Sequence, residues 1–108
     1  MTVKELSAFE NFKALALPEE EREIKNVYIG DLLSWVMGRA QADDAWITIM
    51  SNINVVAVAS LADTACVILA EGVTLDEETL NTAKAKGINV LTTELSAYQA
   101  AKALSGHV

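Results

Sequence analysis

The sequence is poor in the residues on which many enzymes and metal sites depend. It contains one cysteine, one histidine and one proline among 108 residues. A lone cysteine excludes an internal disulfide and is typical of a reducing compartment, so we expect a cytoplasmic protein. His107 lies next to the last residue, which argues against histidine-based catalysis and against histidine metal sites. We therefore predict no catalytic residue, no metal and no cofactor.

Phosphate-binding glycine motifs are also missing. The five glycines do not form a glycine-rich loop followed by Lys and Ser or Thr, and they lack the spacing of a dinucleotide-binding turn. Cys66 lies in an apolar run with no histidine beside it, which predicts an inert buried thiol. The adjacent Asp43 and Asp44 would point to opposite faces of a strand, so we expect them to be solvated turn residues and not a catalytic pair. A phosphotransfer enzyme is the least favoured class of function.

The charge balance is acidic, with 15 acids against 8 bases and a net charge of −7. This disfavours nucleic-acid partners and anionic membrane surfaces, both of which attract clustered Lys and Arg. The apolar run at residues 53–70 contains Asp63, which would cost about 3 kcal/mol at the centre of a membrane. The first residues lack the charge and apolar pattern of a signal peptide. We expect a soluble protein with no membrane or nucleic-acid partner.

The hydrophobic pattern predicts one α/β domain over residues 1–108, with an N-terminal helix and strand within residues 1–23. Predicted strands cover residues 12–17, 21–30, 45–50, 66–70 and 89–94, and predicted helices cover 2–9, 32–40, 54–62, 75–87 and 96–106. The predicted helix ends are a capping box of Thr2 with Glu5, N-caps at Asp76 and Ser96, and a C-cap at Gly87. The repeated strand–helix order indicates a mainly parallel sheet with flanking helices. Residues 53–62 are also rich in valine and could form a strand. Residues 66–69 should be the most buried strand.

Small polar residues follow the predicted strands. In open parallel sheets, ligands bind beyond the carboxyl ends of the strands. The predicted ligand-binding residues are Gly30, Asp31, Ser51, Asn52, Glu71, Gly72, Thr92 and Thr93. Each of them could equally be only a cap or a turn former. We expect them around a shallow pocket, with Glu71 disfavouring phosphate unless a cation intervenes.

The predicted helix at residues 32–40 is unusually rich in apolar residues. Asp31 is its predicted N-cap, and its predicted sheet-facing side contains Leu32, Leu33, Val36, Met37 and Ala40. Trp35 projects outside that side, with Gly38 and Arg39 nearby in the sequence. Because 52% of the residues are hydrophobic, we predict a homodimer whose interface includes Trp35, Gly38 and Arg39. The alternative is that Trp35 covers the edge of its own core and stacks on Arg39.

Three stretches resemble the DRTGG domain family: "NVYIGDLLSWVMGRA", "AWITIMSNINVVAVASLADTACVILAEG" and "INVLTTELSAYQAAKAL". The resemblance covers about residues 24 to 104, although the string Asp-Arg-Thr-Gly-Gly itself is absent. It implies a fold similar to the N-terminal domain of HPr kinase/phosphorylase and to the DRTGG insert of CBS-domain pyrophosphatases. In the latter the domain is a dimer-forming regulatory module that helps to bind diadenosine polyphosphates in some members.

The resemblance and the residue pattern together leave three hypotheses. The first is a non-catalytic regulatory module that binds a small ligand, such as a nucleotide, beyond the strand ends. The second is a dimeric adaptor for a metabolic enzyme or a hydrogenase-like redox partner. The third is the phosphotransfer enzyme that the kinase relationship suggests.

Overall fold

A computed structural model describes all 108 residues as one mixed sheet with five helices. The strands are β1 (Phe12–Ala16), β2 (Asn26–Ile29), β3 (Asp44–Thr48), β4 (Cys66–Leu69) and β5 (Val90–Thr93). The helices are α1 (Val3–Ser7), α2 (Leu33–Arg39), α3 (Asn54–Ala62), α4 (Glu77–Ala85) and α5 (Ala97–Leu104). From β2 onwards strands and helices alternate, as the sequence pattern predicts.

The strand order across the sheet is β1-β5-β4-β3-β2. Strands β2 to β5 are parallel to their neighbours, and only β1 is antiparallel, which confirms the prediction of a mainly parallel sheet. The pairing of β1 with β5 shifts between Ala14 and Ala16. Strand β2 forms the other edge of the sheet.

Two apolar clusters cover the two faces of the sheet. One joins α2, α3 and α4 to side chains such as Trp46 and Val67, and the other joins α1 and α5 to side chains such as Ile47 and Ile68. All four residues of β4 are completely buried, which confirms it as a central strand. Alternate residues of one strand face opposite layers, so the continuous apolar run fits burial on both sides.

Several helix ends match the expected capping chemistry. Thr2 and Glu5 form a capping box at α1, Asp76 accepts a hydrogen bond from Thr79 N at α4, and Ser96 caps α5. Gly87 follows α4 with a φ of 74°, a left-handed conformation that favours glycine. Each of these capping interactions depends on residues that are close in the sequence, so the sequence alone can predict it.

Residues 54–62 form helix α3, which settles the choice between helix and strand. Five of its nine residues are buried, so contacts with the sheet and α2 outweigh the strand preference of its valines. The helix ends at Asp63, a non-glycine residue with a φ of 59°. Asn52 Oδ1 accepts a hydrogen bond from Asn54 N just before the helix.

Three expectations about individual side chains were wrong. Asp31 does not cap α2: the helix starts one residue later, with Leu32 as an N-cap that makes no side-chain hydrogen bond. Leu32 and Met37 are 57% and 50% exposed, because only Val36, Ala40 and part of Leu33 face the core. Asp44 is not a solvated turn residue.

Asp44 is instead the first residue of β3 and is buried. Its Oδ2 accepts a hydrogen bond from Gln41 N at 2.8 Å, which provides the buried carboxylate with a partner. The carboxylate therefore fixes the turn between α2 and β3 from inside the fold.

Candidate functional site

The parallel strands β2 to β5 place the loops that follow them at one border of the sheet, here called the strand-end edge. These loops and the last two residues of β5 contain all the residues that the sequence predicts for ligand binding. Thr92 and Thr93 close β5, and the others follow the ends of β2, β3 and β4. Topology thus brings the predicted residues to the same side of the domain.

The loops after β4 and β5 are tied together by backbone hydrogen bonds. Glu71 N donates to Leu95 O at 2.9 Å, and Gly72 N donates to Thr93 O at 2.8 Å. The Thr92 hydroxyl donates to Val73 O at 2.6 Å. Since Thr92 and Thr93 are buried, their hydroxyls support the loops and are not free for a ligand.

Glu71 and Gly72 form a turn with two successive left-handed residues, with φ values of 59° and 75°. The Glu94 carboxylate lies over this turn, because a Cβ built on Gly72 would be 2.6 Å from Glu94 Oε2. Glu71 and Glu94 are both exposed. They give this half of the strand-end edge a negative, hydrogen-bond-accepting surface.

The loops after β2 and β3 are also tied to each other. Asp31 Oδ1 accepts hydrogen bonds from Thr48 Oγ1 at 2.8 Å and from Ile49 N at 3.0 Å. Gly30 O accepts one from Trp46 Nε1 at 2.8 Å. Asp31 and Gly30 therefore join two strand ends, while Ser51 and Asn52 lie exposed on the surface.

The strand-end edge contains no cavity, so the expected shallow pocket is not formed there. The only cavity, about 470 Å³, lies at the opposite border of the sheet, where β4 and β5 begin. We call it the amino-end groove, and it is lined by Glu19, Arg22, Ala59, Ser60, Asp63, Lys86, Gly87 and Ile88.

An ion-pair network forms one wall of the amino-end groove. Arg22 contacts Asp43 Oδ1 at 3.0 Å and Asp63 Oδ1 at 2.8 Å, and it donates to Asp63 O at 2.6 Å. Hydrogen bonds from Arg22 lower the pKa of Asp43 below its ordinary value of 3.8. Lys25 is 3.5 Å from the second Asp43 oxygen. Four charges of balanced sign thus hold three loops together.

Sequence reasoning missed this groove. In the sequence, Asp43 is notable only as one of two adjacent aspartates, and Arg22 belongs to no recognised motif. The two aspartates that pair with Arg22 lie 21 and 41 residues away from it in the sequence. A basic residue alone in an acidic segment was the one available signal.

The outer surface of α2 remains apolar. Trp35 is 53% exposed, and the Arg39 guanidinium carbon lies 3.7 Å from its ring centroid, which is the stacking that the alternative interpretation describes. Gly38 has open space around its Cα, with no atom within 4 Å of a Cβ built there. Further exposed apolar side chains lie at the end of β2 and in the segments after β2 and β3: Ile29, Leu32, Ile49 and Ile53. We call Trp35 and these four residues the apolar corner.

Groups with reactive potential are enclosed or dispersed. Burial raises the pKa of the Cys66 thiol to about 12, so the neutral thiol dominates at neutral pH. No three His, Cys, Asp or Glu side chains gather as a metal site would require. No helix has the length and apolar character to cross a bilayer.

The architecture is a three-layer α/β domain with polar loops beyond the carboxyl ends of its parallel strands. The sequence matches the DRTGG domain family over residues 13–106, so the chain belongs to that family. The match is wider than the resemblance at residues 24 to 104 suggests, because it includes most of β1.

A solved structure has a similar fold. It contains the CBS and DRTGG domains of the regulatory region of Clostridium perfringens pyrophosphatase, complexed with the activator diadenosine tetraphosphate. The TM-score is 0.71 at 18% identity, over 94% of this chain and 47% of that chain. This chain therefore spans about half the length of that regulatory region. No curated protein matches the sequence.

Proposed function

We propose that this DRTGG domain is a non-catalytic regulatory module that binds a nucleotide-like ligand at the strand-end edge and forms a homodimer. The observation that carries the ligand proposal is the alignment of exposed polar loops after three neighbouring parallel strands. Ser51 and Asn52 follow β3, Glu71 and Gly72 follow β4, and Glu94 follows β5. The pyrophosphatase region with the same fold is complexed with a nucleotide activator, which supports the same ligand class.

The charges at this edge restrict how a nucleotide could bind. Glu71 and Glu94 are hydrogen-bond acceptors, and such carboxylates pair with ribose hydroxyls in other α/β nucleotide sites. The Asn52 amide can donate to and accept from a base edge. Phosphates would be repelled by the two glutamates unless they point outwards or carry a cation. The proposed orientation therefore places the nucleoside on the loops and the phosphates in solvent.

Thermal unfolding with a nucleotide panel tests this proposal. The probes are adenosine, AMP, ATP and diadenosine tetraphosphate, each with and without Mg²⁺. A ligand present at about 100-fold above its Kd stabilises the native state by about 2.7 kcal/mol. For a domain of this size that raises Tm by about 10 °C. Absence of a shift with every probe would contradict the nucleotide proposal.

Isosteric variants locate the site. Glu71→Gln and Glu94→Gln should each weaken binding by about tenfold, because they remove charge-assisted hydrogen bonds at nearly constant shape. Glu20→Gln is the matched control, since Glu20 is exposed and follows β1 at the opposite border of the sheet. Equal binding by all three variants would place the ligand elsewhere.

The homodimer proposal rests on the apolar corner, in which Arg39 stacks on Trp35. Aromatic and Arg side chains are enriched at interfaces, and losing a central anchor costs about 2 kcal/mol or more. Trp35→Ala should lower the dimer fraction in analytical ultracentrifugation. Leu61→Ala is the control, because Leu61 is an exposed apolar residue of α3 outside the corner. A wild-type monomer at high micromolar concentration would refute the dimer.

The same exposed corner favours a second candidate function. A monomer that binds no nucleotide would instead present these side chains to another protein, as an adaptor for a metabolic or hydrogenase-like redox enzyme. Exposed apolar surface of this kind marks interaction sites. Trp35→Ala would then reduce binding of that partner without any change in oligomeric state.

A further inference from the structure

The amino-end groove has walls that are fixed before any ligand arrives. The buried Asn89 amide forms two hydrogen bonds with the Glu19 backbone. Glu19 N donates to Asn89 Oδ1 at 2.9 Å, and Asn89 Nδ2 donates to Glu19 O at 2.8 Å. Arg22 holds the opposite wall through Asp43 and Asp63. A preformed groove avoids the entropic cost of ordering loops on binding.

Two charges of opposite sign line this groove without partners. Neither Glu19 nor Lys86 takes part in any of the molecule's salt bridges, and their side chains make no hydrogen bond. The other two charged lining residues, Arg22 and Asp63, are already paired with each other. One carboxylate and one ammonium group therefore remain available inside a single cavity.

The surroundings extend this polarity. Helices α3 and α4 both end at the groove, and their carboxyl ends carry partial negative charge that attracts a cation. Ile88, which is 7% exposed, contributes the apolar part of the lining, and the exposed Ser60 adds a hydroxyl. A volume of about 470 Å³ is within the usual range for small-molecule sites.

We propose that the amino-end groove is a second ligand site, separate from the strand-end edge, that binds a small zwitterion of the amino-acid class. The ligand's ammonium group pairs with Glu19 beside the helix ends, and its carboxylate pairs with Lys86. An apolar side chain of the ligand contacts Ile88. A simple anion or a simple amine satisfies only one of the two free charges.

Backbone amide shifts in NMR spectra of the full chain test this site directly. The probes are L-leucine, isopentylamine, which lacks the carboxylate, and isocaproate, which lacks the amine. L-Leucine should shift the amides of Ser60, Asp63, Gly87 and Ile88. The two analogues should bind about tenfold more weakly or worse, because each loses one charge-assisted contact.

Matched variants complete the test. Glu19→Gln and Lys86→Ala should each weaken L-leucine binding by about tenfold. Glu20→Gln and Lys84→Ala should leave it unchanged, because these exposed residues neighbour the first two without lining the groove. Equal binding of either analogue, or no effect of the two groove variants, would overturn the proposal. So would an absence of shifts with L-leucine and with the other proteinogenic amino acids at millimolar concentration.

Discussion

Hydrogen bonds hold the loops together at both borders of the sheet, but the arrangement of these bonds differs between the two borders. At the strand-end edge, short side chains such as Asp31 and Thr92 hydrogen-bond to loops next to them, and no cavity remains. At the amino-end groove, Arg22 and Asn89 reach segments far away in the sequence, and a cavity lies between those segments. The first set of hydrogen bonds joins loops that meet directly, whereas the second set lies around an open groove.

Substitution of Asn89, which lies at the amino-end border, should have the largest effect on the free energy of unfolding. Its buried amide makes hydrogen bonds to Glu19 N, Glu19 O and Ala65 O. Asn89→Ala leaves these backbone groups without partners, so the free energy of unfolding should fall by about 3 kcal/mol. Urea denaturation measures the loss.

Asn81→Ala serves as the control for this variant, because Asn81 is exposed on α4. Its effect should stay within about 0.5 kcal/mol. If Asn89→Ala cost less than about 1 kcal/mol, the loop around Glu19 would be held by other contacts, and the comparison between the two borders would fail.

A pair of glycines compares the crowding of the two borders. Gly72 and Gly87 have nearly the same φ, 75° and 74°, so alanine at either position should cost about 1 kcal/mol from the backbone alone. A Cβ at Gly72 would be 2.6 Å from Glu94 Oε2, whereas one at Gly87 would be 3.7 Å from Glu19. Because the carboxylate of the exposed Glu94 side chain can move aside, Gly72→Ala should cost only slightly more than Gly87→Ala in thermal unfolding.

A double-mutant cycle isolates the crowding. Adding Glu94→Ala to Gly72→Ala should remove the excess cost and leave only the backbone term. Glu94→Ala alone is the reference, because it removes the carboxylate without adding a Cβ. Additive effects in this cycle would show that Glu94 does not press on the turn.

Asp31→Ala probes the ties between the ends of β2 and β3. It removes the acceptor for Thr48 Oγ1 and Ile49 N at an exposed position, so the expected loss is about 1 kcal/mol by chemical denaturation. Asp31→Asn keeps an Oδ1 acceptor and should retain most of the stability. An equal loss in both variants would assign the effect to charge.

The sequence predicted what depends on neighbouring residues. The capping box at Thr2, the caps at Asp76 and Ser96, and the burial of residues 66–69 all follow from local patterns. The parallel topology follows from the order of strands and helices. Strand-end residues could be predicted because topology alone brings them to one border.

Features that depend on distant segments could not be predicted. The amino-end groove needs Glu19 beside Asn89, 70 residues away, and no periodicity encodes that contact. Asp31 matches the pattern of an N-cap, but hydrogen bonds to β3 and the loop after it take its carboxylate. Met37 fits a helical stripe, yet the seven-residue α2 buries only Val36 completely. Tertiary contacts decide these cases.

The smallest expected effects concern pH, with one carboxylate on each border. Hydrogen bonds from Arg22 lower the pKa of Asp43, and hydrogen bonds from Thr79 lower that of Asp76, both from an ordinary 3.8. A carboxylate with a lowered pKa adds stability above its unfolded-state pKa, and this is lost as pH falls through the native value. Unfolding free energy should therefore decrease below about pH 4.

Salt separates the two contributions. Asp43 acts through an ion pair, which salt screens, whereas Asp76 caps a helix through a backbone hydrogen bond. At low ionic strength, Asp43→Asn should reduce the decrease in unfolding free energy that accompanies acidification. At high ionic strength the same variant should have less effect. Asp76→Asn, which retains a good capping side chain, should reduce that decrease by a similar amount at both ionic strengths. Urea titrations from about pH 7 to about pH 3 measure these slopes, and equal salt dependence in the two variants would mean that the borders do not differ in this respect.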